Sequence, residues 1–258
     1  MEIAVVADEQ GVGRSAADVL EEALRHGCRR LGLATGSSPL ATYAELVRRH
    51  REGLSFAEVD AYLLDEYVGL APGHPESYAR VIRRELTDAI DIDPARVHGP
   101  DGTARDPREA AAAYESLLGA VGGVDVQLLG IGTNGHIGFN EPGSSLGSRT
   151  RVKTLTLQTR LDNARFFASL GKVPVHVITQ GLATISSAGH LLLVASGAHK
   201  AAAVAAALEG PVTASCPASV LQLHPHVTVV LDEAAARLLT RLDDYRQALL
   251  AKPRGWGW

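Results

Sequence analysis

A histidine stands among glycines in Gly130-Ile131-Gly132-Thr133-Asn134-Gly135-His136-Ile137-Gly138-Phe139-Asn140-Glu141-Pro142. Imidazole is the side chain whose ordinary pKa lies nearest neutrality, so it suits proton transfer at pH 7. A carboxylate further along, Glu141, could orient the ring and stabilise its charged form, as the third member of a triad does. The plainer alternative is a histidine satisfied by local backbone, with Glu141 on the surface. The glycines weigh against that alternative, because a loop built for close backbone approach usually serves a ligand. Gly130, Gly132 and Gly135 also spell G-x-G-x-x-G. That dinucleotide fingerprint needs a helix next and an acid about 20 residues on. Here Gly138 and Pro142 follow, and Val152, Lys153 and Thr154 stand in the acid's place, so a nicotinamide site is set aside.

Two other loops could do chemistry. In Leu64-Asp65-Glu66-Tyr67, two acids end an apolar run. A carboxylate there can act as a general base if its surroundings tune its pKa, and a helix cap or solvated pair is the alternative. In Thr35-Gly36-Ser37-Ser38-Pro39, Ser38 suits an N-cap and Pro39 a first helical residue. Free N–H groups at such a helix start offer an anion site, and an ordinary capped turn is the alternative. Arg149, Arg151, Lys153, Arg160, Arg165 and Lys200 follow downstream, the residue types a phosphate would take. Composition does not choose among them. The ten histidines form no H-x-x-x-H or His/Cys cluster, so no metal is expected. Serine-hydrolase chemistry is not expected.

Short β-branched runs alternating with helical patterns must position these loops. Strands are expected at 3–7, 31–34, 61–64, 124–130, 175–178, 191–195 and 227–231, and helices at 15–24, 40–47, 76–87, 108–118, 200–208 and 234–250. The strand runs are nearly continuously apolar rather than alternating, as in strands covered on both faces. The pattern therefore predicts a doubly wound α/β fold: an open, mostly parallel sheet with helices on both faces, in one domain over 1–258. Ligands in such sheets bind beyond the carboxyl ends of strands, which is where all three loops lie. The polar stretch 143–170 fits no plain βα unit and reads as an excursion or lid. The last residues, Gly-Trp-Gly-Trp, read as a frayed tail.

The 258 residues are 46% hydrophobic and 21% charged, with a formal net charge of -4, an ordinary globular balance without general appeal to nucleic acid or anionic membrane. Two cysteines, Cys28 and Cys216, form no C-x-x-C pair and read as free thiols. The N-terminus lacks the pattern of a signal peptide, and the protein is read as cytoplasmic.

Several stretches, in order along nearly the whole chain, resemble the glucosamine-6-phosphate deaminase family: ATGSSPLATY, LDEYVGL with HPESY, GIGTNGHIGFNEPGSSLGSRTRVKTL, TRLDNARFF, SGAHKA and LQLHPHVTVVLDE. The pairing of GHIGFNEP with LDEYVGL is specific. The resemblance implies conversion of glucosamine 6-phosphate to fructose 6-phosphate and ammonia, with no metal or redox cofactor. It implies that Asp65 moves a proton between C2 and C1, and that His136 assists ring opening with Glu141 and Asn134. Gly36, Ser37, Ser38, Arg165 and Lys200 would hold the phosphate, and roughly 151–178 would form a lid. Some members carry an aspartate where this chain has Asn134, so position 134 should orient rather than donate charge. Some members are hexamers activated by N-acetylglucosamine 6-phosphate. Ser144, Arg151, Lys153 and Thr154 match that effector site, while its tyrosine is matched only loosely by Tyr245, so allostery and a homo-oligomer stay open. The enzyme rival is 6-phosphogluconolactonase, whose pattern does not continue as FNEP. A related amino-sugar phosphate such as galactosamine 6-phosphate is a further rival substrate. A sugar-phosphate sensor that had lost the chemistry should lack Asp65, His136 or Glu141, and all three are present.

Overall fold

The computed structural model describes residues 1–253. The Gly-Trp-Gly-Trp tail lies outside the described residues. In chain order the elements are β1 (Glu2–Val6), α1 (Glu9–Arg25), β2 (Arg30–Leu33), α2 (Leu40–Arg51), β3 (Asp60–Leu63), β4 (Asp65–Tyr67), α3 (Tyr78–Glu85), β5 (Val97–His98), α4 (Pro107–Ala120) and β6 (Val126–Leu129). They continue with β7 (Arg151–Thr154), α5 (Leu157–Asn163), β8 (His176–Thr179), α6 (Leu182–Ile185), β9 (His190–Ala195), α7 (Ala201–Leu208), β10 (Val227–Asp232), α8 (Glu233–Ala236) and α9 (Leu242–Leu250).

Seven strands form one sheet in the order β1-β10-β9-β6-β2-β3-β5. All its pairings are parallel. Side chains alternate between two buried layers. Leu191 and Leu193 of β9 join residues of α4, α6, α7 and α8 on one face. Leu192 and Val194 join residues of α1, α2 and α3 on the other. This is the doubly wound arrangement that continuous apolar strands require. From β2 the chain steps outward to β3 and β5, while from β6 it steps the other way to β9 and β10. Adjacent strands β2 and β6 are therefore the switch point, and the loops leaving their carboxyl ends diverge to open a crevice.

A second sheet was not legible in the sequence. It is three-stranded and antiparallel, in the order β4-β8-β7. The expected strand at 175–178 belongs here as β8, not to the parallel sheet. Its register pairs Asp65 with Thr179 and Tyr67 with Val177. The stretch 151–178 is the long excursion between β7 and β8, with α5 and two short 3-10 turns at its far end.

Two helices differ from expectation. Helix α1 starts at Glu9 rather than Ser15, because the Asp8 carboxylate accepts the Gly11 amide proton at 2.7 Å. The glycines inside α1 obscured this start. Gly13 is required by close helix contact, since a Cβ there would lie 2.6 Å from the Ala41 backbone of α2. The helix expected at 234–250 divides into α8 and α9. Between them the Glu209 carboxylate accepts the amide protons of Thr240 and Arg241 at 2.8 and 3.0 Å, which turns the chain out of its helical path. Among the described residues, no helix is long and apolar enough to cross a membrane. Cys28 and Cys216 are both buried free thiols.

Candidate active site

A cavity of about 160 Å³ opens at the carboxyl ends of β2, β3, β6 and β9. The loops after β2 and β6 touch there, since a Cβ added at Gly130 would meet Ser38 Oγ at 3.1 Å. The lining includes Gly36, Ser37, Ser38, Asp65, His136, Arg165 and Lys200. Asn134 and Glu141 stand behind His136 rather than in the lining.

Asp65 is 5% exposed, and no group among the described residues hydrogen-bonds its carboxylate. Burial, aided by the nearby Glu66 charge, holds its pKa well above the usual carboxylate range. A carboxyl so placed is a stronger base than one in water. Glu66 has a different task. Its carboxylate accepts amide protons from Tyr67 and Tyr78 at 2.8 Å and from Ala79 at 2.9 Å, closing the first turn of α3. Alternation along β4 thus sends one acid to the cavity and the other to a helix start.

His136 has a side chain 21% exposed. Burial lowers its pKa below the ordinary histidine value; Glu141 pulls it up and Lys200 pulls it down. The hydrogen bonds around it fix its tautomer. Glu141 Oε2 lies 2.7 Å from Asn134 Nδ2, and a carboxylate only accepts, so the amide must face it with its NH₂. Asn134 Oδ1 then faces His136 Nδ1 at 2.7 Å, so Nδ1 carries the proton and donates it. Nε2 is left as the unprotonated nitrogen. The sequence suggested direct contact between Glu141 and His136. The structure instead puts 3.7 Å between Glu141 Oε2 and Nδ1, with Asn134 bridging them.

Also in the lining, Lys200 Nζ donates to the Ile131 carbonyl at 2.7 Å, and burial lowers its pKa. Arg165 is exposed and its guanidinium lies 4.7 Å above the Phe166 ring. Ser38 does not cap α2. Pro39 occupies the N-cap position already in helical conformation, without a side-chain cap, and Leu40 N reaches back to the Ser37 carbonyl at 3.3 Å. A tight turn thus takes the first amide, and Ser38 lines the cavity instead.

The four residues matched to an effector site lie away from this cavity. Ser144 is buried in the turn after Glu141, and its hydroxyl has no partner among the described residues. Arg151, Lys153 and Thr154 are on β7, where alternation puts Thr154 on the opposite face from the other two. Thr154 Oγ1 lies 3.2 Å from His176 Nδ1.

The lining also includes Thr35, named above only as part of its loop, and Tyr78, Thr159, Asp162 and Asn163, which sequence reasoning missed. The last three sit on α5 in the segment TRLDN. That segment was noticed only as part of a resemblance, since polarity at helical spacing usually means a solvated face.

The model of the family "Glucosamine-6-phosphate isomerases/6-phosphogluconolactonase" matches residues 7–230. A glucosamine-6-phosphate deaminase of Pseudarthrobacter chlorophenolicus is 58% identical over 258 residues, covering 100% of both chains. The solved structure of a monomeric glucosamine-6-phosphate deaminase superposes with a TM-score of 0.90 at 43% identity, over 92% of this chain and 100% of that one. The 6-phosphogluconolactonase of Trypanosoma cruzi shares the fold, with a TM-score of 0.75 at 21% identity over 93% of this chain and 97% of that one. Matched end to end by sequence and over 92% of its length by structure, the chain belongs to the glucosamine-6-phosphate deaminase family.

Proposed function

We propose that the protein converts glucosamine 6-phosphate and water into fructose 6-phosphate and ammonia, in the cytoplasm. The observation that carries this reading is the joint presence, in one cavity, of a buried carboxylate without a partner among the described residues, a histidine of fixed tautomer, and hydroxyls and cations suited to phosphate. Identity of 58% to a curated deaminase supports the substrate.

His136 Nε2 takes the O1 proton of the pyranose and returns a proton to the ring oxygen, opening the sugar. The depressed pKa of His136 keeps it neutral and ready to accept at pH 7. Asn134 and Glu141 hold the Nδ1 proton in place and stabilise the imidazolium as it forms. Asp65 then removes the C2 proton, giving an enolamine, and redelivers a proton to C1. The resulting imine at C2 adds water and expels ammonia. Gly36, Ser37, Ser38, Arg165 and Lys200 hold the phosphate, through the loop's hydroxyls and amides and through two cations. The 151–178 excursion, which lends Arg165, serves as the lid. Asn134 is a neutral bridge, so the carboxylate behind the ring is that of Glu141.

The test is to incubate the purified protein with glucosamine 6-phosphate and measure ammonia and fructose 6-phosphate together. Equal appearance of both, lost in Asp65→Asn by a factor of about 100 to 10,000, is the expected result. Absence of both products, or full activity in Asp65→Asn, overturns the reading. A sedimentation run on the same sample, with and without N-acetylglucosamine 6-phosphate, reads the oligomeric state; one relative at 43% identity is described as monomeric.

A further inference from the structure

Glu141 is 5% exposed, and both of its oxygens are engaged. Oε2 takes the Asn134 amide at 2.7 Å and faces His136. Oε1 faces the opposite way, toward the excursion. There it accepts a short hydrogen bond from the hydroxyl of Thr159, and the hydroxyl of Thr156 lies 3.3 Å away. Thr156 is the N-cap of α5: its Oγ1 accepts the Thr159 amide proton at 3.2 Å and lies 3.1 Å from Thr159 Oγ1. Thr159 is 4% exposed and lines the cavity.

Donor counting orders this cluster. Each threonine hydroxyl has one proton, and a carboxylate only accepts. Thr159 therefore donates to Glu141, and Thr156, whose oxygen already accepts an amide proton, turns its own proton toward Thr159 or Glu141. The carboxylate is gripped between two elements from different parts of the fold. One is the glycine-rich loop after β6, through Asn134. The other is the first turn of α5, at the end of the excursion.

We propose that Thr159, backed by Thr156, is a positioning residue for ring opening. It holds Glu141 in line with Asn134 and His136, so the relay is complete only when α5 is seated on the cavity. This rests on the assignment of His136 and Glu141 to ring opening given above. Nothing in the relay itself needs α5 for its own fold, since Glu141 lies in the loop leading from β6 and its backbone amide bonds to Phe139 O at 3.1 Å. What α5 supplies is aim. A carboxylate released from Thr159 can swivel about its terminal torsion, which is soft. The Asn134 amide would then lose its fixed orientation, and with it the tautomer of His136.

The experiment compares Thr159→Val, which keeps the shape and removes the hydroxyl, with Thr159→Ser, which keeps the hydroxyl. Both are placed in a double-mutant cycle with Glu141→Gln, and His136→Gln is the control. The expected result is a fall in kcat of roughly 10- to 100-fold in Thr159→Val, the range for a hydrogen bond to a charged group, with KM changed little and activity restored in Thr159→Ser. Added to Glu141→Gln, Thr159→Val should cost almost nothing further, because it acts through Glu141. A structural role would instead give losses that multiply. Multiplying losses, or an unchanged kcat in Thr159→Val while Glu141→Gln and His136→Gln are impaired, overturn the inference and leave the ring-opening assignment standing. If Glu141→Gln and His136→Gln both turn over normally, that assignment fails and the inference fails with it.

Discussion

Gly132 lies under the His136 ring, and adding one methyl group there should separate activity from stability. A Cβ at this position would stand 2.2 Å from His136 Cε1, 2.3 Å from Nδ1 and 2.5 Å from Nε2. Ordinary contact begins at 3.4 Å, so the ring must retreat by 3.4 − 2.2, or 1.2 Å. The φ of Gly132 is not positive, so alanine adds no backbone strain. The ring ends a side chain that is 21% exposed, so it can swing aside and the fold should lose no more than ~1 kcal/mol. The 2.7 Å bond from Nδ1 to Asn134 does not survive that swing, because Asn134 is itself tethered to Glu141. Displacing a reacting group by about 1 Å costs about 100-fold in rate, or ~2.7 kcal/mol in the barrier. Steady-state ammonia release from glucosamine 6-phosphate gives kcat and KM, and urea unfolding gives stability. Gly132→Ala should fold normally, bind substrate and turn over about 100-fold more slowly. A kcat within about threefold of wild type, under ~0.7 kcal/mol, would refute the claim that the ring's seat is catalytic.

Two further perturbations test the frame around the site. Glu66→Ala leaves two amide donors at the start of α3 and one in β4 without their carboxylate and should cost roughly 2–4 kcal/mol in urea unfolding; a loss below ~1 kcal/mol would mean that water replaces it. His190 stacks on His226 with ring centroids 3.6 Å apart, and burial, with help from the neighbouring histidines, pushes its pKa down to about 3 from an ordinary 6.5. The unfolded chain therefore takes up this proton below pH 6.5 while the folded chain does not. The contribution is complete above 6.5 and is lost by up to ~1.4 kcal/mol per pH unit as pH falls toward 3. His190→Gln should remove about 2 kcal/mol of the stability difference between pH 7 and pH 5, and an unchanged difference would show that His190 is not the group responsible.

The parallel sheet was legible because its long strands are nearly continuous apolar runs and most are followed by a helical period. The site loops were legible for a related reason, as glycine, acid or histidine directly after such a run has few structural uses. The antiparallel sheet was not legible. Strand β4 is three residues long and owes its existence to Thr179 and its neighbours, far along the chain. Asp65 was found, but not the strand that fixes its register. The same limit hid Thr159: its partner is a carboxylate in another loop, and TRLDN alone shows only a polar helix. Ser38 was read as a cap because its type suits one, whereas the helix starts one residue later, with Pro39 at the N-cap and no side-chain cap. The directness of the Glu141–His136 contact was overestimated, since order along the chain says nothing of the amide placed between them.

The strand order also bears on how the chain comes to be folded. Strand β1 is an edge strand whose partner in the sheet is β10, with Glu2 opposite Thr228 and Val6 opposite Asp232. Strand β1 must wait for β10, which is made far later along the chain. Until then its backbone groups and apolar side chains have no sheet to join, and pairing across so long a span is slow to form. The cavity end of the sheet draws on the central strands, so its loops can assemble while this seam is open. Closing the seam is the late step, and a pause in synthesis before β10 would leave an edge free to pair with another chain.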